Sequence, residues 1–258
     1  MVRLKVVHVI TRLDLGGAQQ NTLHTVRSLD STRFEAILVC GEGGTLDAEV
    51  RREAGLMTLF FHSLVREISP LRDLRALLEL RGFFASERPD IVHTHSSKAG
   101  ILGRLAAAMT GVPVIVHTYH GFGFHDRQNA VVKTLYVLLE RLCALVTTRL
   151  IFVSHANQGY AVRHRIRGAA RGIVIRSGIR LRDFPAKVDA VALKTSAGIG
   201  MHRPVVVSIG NLKPQKNVGD FLTAAALVAE RVPEAHFVFL GGGPQRRQLE
   251  AKAFALGL

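Results

Sequence analysis

Apolar residues fall into short runs along this chain, separated by longer stretches of helical period. Lys5–Ile10 is short, apolar and β-branched, with glycines soon after it, which predicts a buried strand. Ala18–Leu29 predicts a helix, Phe34–Cys40 a strand, Leu46–Ala54 a helix and Met57–His62 a strand. In Pro70–Glu87 the positions Leu71, Leu74, Leu77, Leu78 and Phe84 follow helical spacing. Asp90–Thr94 predicts a strand, Lys98–Met109 a helix of small residues closed by Gly111, and Val114–Thr118 a strand. Asn129–Thr148 predicts a long apolar helix, and Leu150–Val153 and Ile173–Ile175 two further strands.

Strands alternating with helices through short connections predict an α/β fold with a parallel sheet covered on both faces. Seven candidate strands precede residue 180, which fits a doubly wound, Rossmann-like sheet. A closed eightfold barrel of about 250 residues is the competitor. The pattern lapses between Arg180 and Arg203, around Pro185, Gly198 and Gly200, which argues against the barrel. It restarts with Pro204–Gly210 (strand), Val218–Arg231 (helix), Ala235–Leu240 (strand) and Gln245–Leu256 (helix). The expected organisation is a complete domain over 1–180, a linker over 181–203 and a partial second domain over 204–258. Two strands and two helices cannot cover both sheet faces or protect the edges, so the sequence is expected to be a fragment of a longer protein.

At 48% hydrophobic and 21% charged residues, the chain has a globular composition. It contains no run of about 18 apolar residues, and Val6–Ile10 is too short for a signal-peptide core, so a cytoplasmic location is expected. Cys40 and Cys143 form no CxxC and imply neither a disulfide framework nor a zinc cluster. The net charge of +14 is unevenly placed. Arg163, Arg165, Arg167, Arg171, Arg176, Arg180 and Arg182 lie in one stretch without a single carboxylate. Such a run suits an anionic membrane, a phosphorylated substrate or nucleic acid, but arginines on a merely solvated face look the same.

Several segments carry candidate chemistry. Gly16 and Gly17 follow the first strand, where two glycines at a helix start let backbone amides approach a phosphate. His93 and His95 alternate by two and so share one face of a strand. His117 and His120 lie at the end of the next strand. Four histidines at neighbouring strand ends raise a metal site, yet no carboxylate lies within either motif and Asp126 is the nearest candidate; core or loop histidines are the commoner outcome, and no metal is expected. Asn211, Lys213 and Lys216 lie between a strand and a helix, a good anion site. Phe239–Arg247 is another glycine-rich turn, with Pro244 suited to a helix start. The helix at Asn129–Thr148, with Lys133, Arg141 and Arg149 nearby, reads as a buried sheet-packing helix, with docking on a membrane surface the alternative.

Taken together, LGGAQ, PDIVHTHSSKAG, PVIVHTYHGF, LIFVSHA, IRSGI, IGNLKPQKN and LGGGP stand in an order and spacing that resemble the family 4 retaining glycosyltransferases. The flavour is that of bacterial enzymes building surface polysaccharides. The resemblance implies the two-domain GT-B fold and transfer of a sugar from a nucleotide-diphosphate donor, with retention, to a glycan or lipid-linked acceptor. The donor would bind the second domain and the acceptor the first, with chemistry in the cleft and no cofactor. The developing diphosphate charge would be met by fixed cations and backbone amides. Lys216 matches the family's phosphate-binding lysine, Gly16 and Gly17 its glycine loop, and His120 its cleft histidine, expected to orient the donor sugar or acceptor rather than act as general base.

The chain departs from the family in places. It has Asn211 where an arginine is usual, and Lys213 is expected to supply that charge. Gln19 stands for a glutamate, and Ser177 for an asparagine before Gly178. The family's pair of glutamates that holds donor sugar and ribose falls downstream of Leu258, so the chain is not expected to catalyse transfer alone. The competing readings are a sugar-nucleotide epimerase of the same fold and a basic module for nucleic acid or membranes. The motifs favour the transferase, with nucleic acid not expected as a partner.

Overall fold

The computed structural model describes residues 3–125, 128–179, 184–185 and 187–258. Asp126, Arg180 and Arg182 lie outside the described residues. The chain divides into two compact units, Met1–Ile179 and Arg180–Leu258.

The first unit alternates strands and helices in the expected order. These are β1 (Leu4–Arg12), α1 (Gly17–Arg27), β2 (Phe34–Gly41), α2 (Asp47–Arg52), β3 (Met57–Phe60), α3 (Pro70–Glu87), β4 (Ile91–His95), α4 (Ser97–Met109), β5 (Val114–Tyr119), α5 (Ala130–Leu145), β6 (Arg149–Phe152), α6 (His155–Arg163) and β7 (Ile173–Val174). All seven strands join one open sheet in the order β3-β2-β1-β4-β5-β6-β7, every pairing parallel. The open order excludes the barrel. The chain winds from β1 outward to β3, then crosses back to β4 and winds the other way. The reversal between β1 and β4 is the topological switch point, where such sheets open a crevice at their carboxyl ends.

Alternating side chains of the buried strands feed two layers. Val7, Val9, Val39, Val92 and Ile115 pack against Ala76, Leu80 and Phe84 of α3 and Ala106 and Ala107 of α4. Ile10, Leu38 and Cys40 meet Leu23 and Val26 of α1. Helix α4 owes its close approach to its small residues. A Cβ at Gly100 would stand 2.6 Å from the His117 ring. A third cluster joins Tyr119, Phe124 and Phe152 to Val137 and Ala144 of α5 and Ala161 of α6.

Two helices differ from expectation. Helix α5 starts where Asn129 accepts from the amides of Val131 and Val132, and it buries only Val137, Glu140, Cys143 and Ala144. Val131, Leu135, Leu138, Leu142 and Leu145 are each more than half exposed. Their spacing of four, three, four and three places them on one face, so the helix is amphipathic in the reverse sense, with a solvent-facing apolar stripe rather than full burial on the sheet. Helix α6 was not anticipated, because its HANQGYAVR stretch has no clear apolar period. Ser154 starts it by accepting from the Asn157 amide at 3.1 Å.

The second unit holds α7 (Ala190–Ser196), β8 (Val205–Ile209), α8 (Val218–Ala229), β9 (His236–Leu240) and α9 (Arg246–Ala255). Strands β8 and β9 pair in parallel, from Val205 with His236 to Ile209 with Leu240. The stretch read as a linker, 181–203, is not featureless. Asp189 accepts from the Val191 and Ala192 amides and starts α7 there, a capped helix too short to show a period in the sequence. The loops after β8 and β9 touch. A Cβ at Gly241 would fall 1.8 Å from the Gly210 carbonyl oxygen, so only glycine lets these backbones meet.

Candidate functional site

In the parallel register His8 of β1 lies beside His93 of β4, and His95 beside Thr118 of β5. Side chains at 8, 93 and 95 therefore share one sheet face, which His117, paired with Thr94, does not. His117 turns to the opposite side, packs over Gly100 and hydrogen-bonds Thr94 Oγ1 through Nδ1 at 2.9 Å. Of the four histidines singled out in the sequence, the structure thus brings together His93, His95 and His120, adds His8, and sets His117 apart.

These four rings form a close group. His8 Nδ1 lies 3.1 Å from His95 Nε2, and His95 Nδ1 lies 3.1 Å from His120 Nε2. His93 stacks obliquely on His95 at 4.3 Å between ring centroids and shares a 2.7 Å hydrogen bond with Thr118 Oγ1. His8 and His95 are buried, and among the described residues His8 Nε2 has no hydrogen-bond partner. Burial removes water from the imidazolium and pushes His8 and His120 down to about 4, and it holds His93 and His95 well below the ordinary histidine range. All four are neutral at pH 7. Among the described residues, His8, His93 and His95 form the one cluster that could hold a metal ion, with nitrogens within 4.8 Å of one another. The nitrogens of the His8–His95 contact and His93 Nε2 are already engaged in hydrogen bonds.

The residue after His95 is strained. Ser96 has φ 62° and ψ 164°, a region that side chains avoid at a cost of about 1–3 kcal/mol. Thr11 at the end of β1 holds it, with Thr11 Oγ1 2.8 Å from Ser96 Oγ while accepting from the Ala99 amide at 3.1 Å. The switch point is thus fastened between β1 and the start of α4.

The glycine turn follows strand β1, which ends at Arg12. Helix α1 starts at Gly17 with no side-chain cap and no acid in its first turn. Its leading amides remain available, as an anion site requires. Gly16 is extended, so its backbone does not demand glycine, and a Cβ at Gly17 would meet nothing within 4 Å. Gly17 leaves open space above the helix start, whereas a Cβ at Gly16 would stand 2.8 Å from Gln19 Oε1. Gln19, in place of the family's glutamate, donates from Nε2 to the Arg12 carbonyl at 3.2 Å and closes the turn.

A buried polar group missed in the sequence supports this end of the sheet. Arg104 of α4 donates from Nη2 to Glu140 Oε2 of α5 at 2.7 Å and from Nε to the Gly100 carbonyl at 2.7 Å. The Tyr119 hydroxyl donates to the same Glu140 oxygen at 2.6 Å. Tyr119 immediately precedes His120, so the group ties α4, α5 and the end of β5 together. An arginine in an alanine-rich helix and a glutamate in an apolar one were the signals in the sequence.

In the second unit Asn211 and Lys216 are exposed and Lys213 is half-buried, while Leu212 between them turns inward. Among the described residues neither lysine is paired with a carboxylate. Lys213 precedes a short 3-10 turn, Pro214–Lys216, that leads into α8, and the stem of Lys216 lies over Gly210. Ser177 and Gly178 are exposed.

A profile described as glycosyl transferase 4-like domain matches residues 16–178 of the chain. The chain belongs to the glycosyl transferase 4-like family. A second profile, glycosyl transferases group 1, matches residues 192–258 of this family member. The chain is 34% identical over 251 residues to the UDP-Gal:alpha-D-GlcNAc-diphosphoundecaprenol alpha-1,3-galactosyltransferase of Escherichia coli, a match spanning 96% of this chain and 64% of that protein. Among solved structures, the sucrose-phosphate synthase of Thermosynechococcus elongatus superposes with a TM-score of 0.79 at 15% identity, over 99% of this chain and 68% of that one. The UDP-N-acetylglucosamine 2-epimerase of Rickettsia bellii gives 0.62 at 12%, over 98% of this chain and 65% of that one. Both structures share the fold, which by itself separates neither chemistry.

Proposed function

We propose that the whole protein transfers a hexose from a nucleotide-diphosphate sugar to a lipid-linked glycan acceptor, with retention at the anomeric carbon. UDP-galactose is the donor to test first, because the E. coli relative is named for it. The observation that carries the reading is the uncapped α1 start at the open Gly17, which follows the strand that bears His8. Amides with no side-chain competitor suit an anionic diphosphate, and Lys213 and Lys216 give the second unit a matching chemistry. Neutral His120 suits orientation of a hydroxyl rather than proton uptake, because a base near pKa 4 drives proton transfer weakly at pH 7. The reading needs no resident cofactor. The test is incubation of the protein with UDP-galactose and a GlcNAc-diphospho-lipid, followed by mass spectrometry and NMR of the new linkage. An α-linked product supports it. Inversion of the linkage, or epimerisation of UDP-GlcNAc without transfer, overturns it.

We also propose that the acceptor is met at an anionic membrane surface. No helix of the described residues is long and apolar enough to cross a bilayer. The stripe Val131, Leu135, Leu138, Leu142 and Leu145 offers a surface for shallow insertion. At its end a depression is lined by Leu145, Arg149, Arg167 and Arg171, and Arg163, Arg165 and Arg176 are exposed as well. Co-sedimentation with anionic vesicles that is lost in Leu138→Glu supports this surface. Equal binding to neutral vesicles argues against it.

A further inference from the structure

We infer that His8 and His95 are positioning residues that hold His120 in a single tautomer, with its proton on Nδ1, and so make it a hydrogen-bond donor at its free nitrogen. A neutral imidazole has one N–H and one lone pair. The contacts His8 Nδ1 to His95 Nε2 and His95 Nδ1 to His120 Nε2, both 3.1 Å, link three such rings head to tail. A chain of this kind has only two self-consistent directions. Donation inward from His120 ends with an N–H on His8 Nε2, buried and facing no acceptor. Donation outward from His8 ends there with an unused lone pair. A buried N–H without an acceptor is the rarer native defect, and unmet acceptor capacity the more tolerated one. The outward direction is therefore the stable one. His8 donates to His95, His95 donates to His120 Nε2, and the His120 proton is left on Nδ1.

The arrangement is specific to these positions. His93, although its ring lies 4.3 Å from His95, is engaged by Thr118 Oγ1 and stands outside the chain. No carboxylate hydrogen-bonds any of the three rings among the described residues, so nothing favours an imidazolium within the row. Burial depresses all three, which keeps the row neutral and its direction fixed over the working pH range. The identity of the group that His120 meets, a sugar hydroxyl or a phosphate oxygen, rests on the proposed transferase reading. The tautomer itself does not.

The test is side-chain 15N NMR of the full chain labelled at histidine nitrogens, with no substrate present. The expected result is a pyrrole-type Nδ1 and a pyridine-type Nε2 for His120, with the same pattern for His8 and His95. His95→Asn places an amide nitrogen where Nδ1 stood and keeps the His120 pattern. His95→Gln reaches the Nε2 position instead, empties the Nδ1 position, and brings the two His120 nitrogens toward averaged shifts. A pyrrole-type Nε2 on His120, averaged shifts in the unmodified protein, or an unchanged His120 in His95→Gln each overturns the inference. So does a shift of the His8 or His95 nitrogens on adding zinc, which would make the row a metal site. The unmodified protein decides the question should a variant fail to fold. Failure of sugar transfer would leave the NMR result standing, and the reverse holds equally.

Discussion

Replacing Glu140 by leucine is the most direct probe of what holds the histidine-bearing end of the sheet. Arg104 is fully buried and Glu140 is 2% exposed. The guanidinium has three hydrogen-bonding nitrogens: Nε on the Gly100 carbonyl, Nη2 on Glu140, and Nη1 with no partner. Leucine at 140 removes the counter-charge and the Nη2 acceptor together, and it also leaves the Tyr119 hydroxyl without its acceptor. Breaking one side of a buried pair costs about 3–5 kcal/mol. Loss of 4 kcal/mol is close to a thousandfold fall in the folding constant. The double variant Arg104→Met with Glu140→Leu buries no charge and should be more stable than Glu140→Leu, keeping only the cost of about 1–3 kcal/mol for the Tyr119 hydroxyl left without its acceptor. Urea unfolding followed by circular dichroism gives the four corners of the cycle, and the loss should appear in the transition of the first unit. A single-variant cost below about 1 kcal/mol, or a double variant no better than Glu140→Leu, would refute this account.

Acid should destabilise the protein in a defined window. His8, at about 4 in the folded chain against 6.5 unfolded, binds fewer protons when folded, so stability is lost as pH falls through 6.5 toward 4. His8 alone accounts for about 3 kcal/mol of that loss, and unfolding midpoints that stay flat from pH 7 to 4.5 would contradict it. Gly17→Asp should leave stability unchanged or raise it by about 0.3–1 kcal/mol, through the α1 dipole, while weakening UDP binding at least tenfold; calorimetry reads both, and unaltered UDP affinity would remove α1 from the donor site. Lys213→Ala and Lys216→Ala should each cost UDP binding about 1.5–3 kcal/mol, and an unchanged Lys213→Ala would show that this lysine does not stand in for the family's arginine.

The parallel sheet was legible in the sequence because strands buried on both faces read as short apolar runs, Val6–Ile10, Ile37–Cys40 and Ile91–Val92 among them. Strand β3 ended two residues early because Phe61 and His62 already turn toward Ser63 and Leu64. The paired spacing of His93 and His95 disclosed a shared face. The side on which His117 falls depends on the register between β4 and β5, a long-range fact that local spacing does not carry. His8 went unremarked because one histidine in an apolar strand looks like any core histidine until β4 is placed beside it. Helix α5 departs from the expected burial because apolar composition cannot say which flank meets the sheet. Glu140 and Cys143 mark the inner flank, and the leucines at 135, 138, 142 and 145 the outer one.

The strand order also governs how the chain comes together as it is made. Strand β1 has one neighbour, β2, close in sequence, but its other neighbour, β4, begins some 80 residues after β1 ends, and such non-local pairing is intrinsically slow. Until β4 pairs, the open edge of VVHVI is the kind of template on which chains aggregate. His8 is the only polar side chain in that segment, and in water it is hydrated and can take up a proton. That hydration is lost once His93 and His95 close over it in the folded sheet.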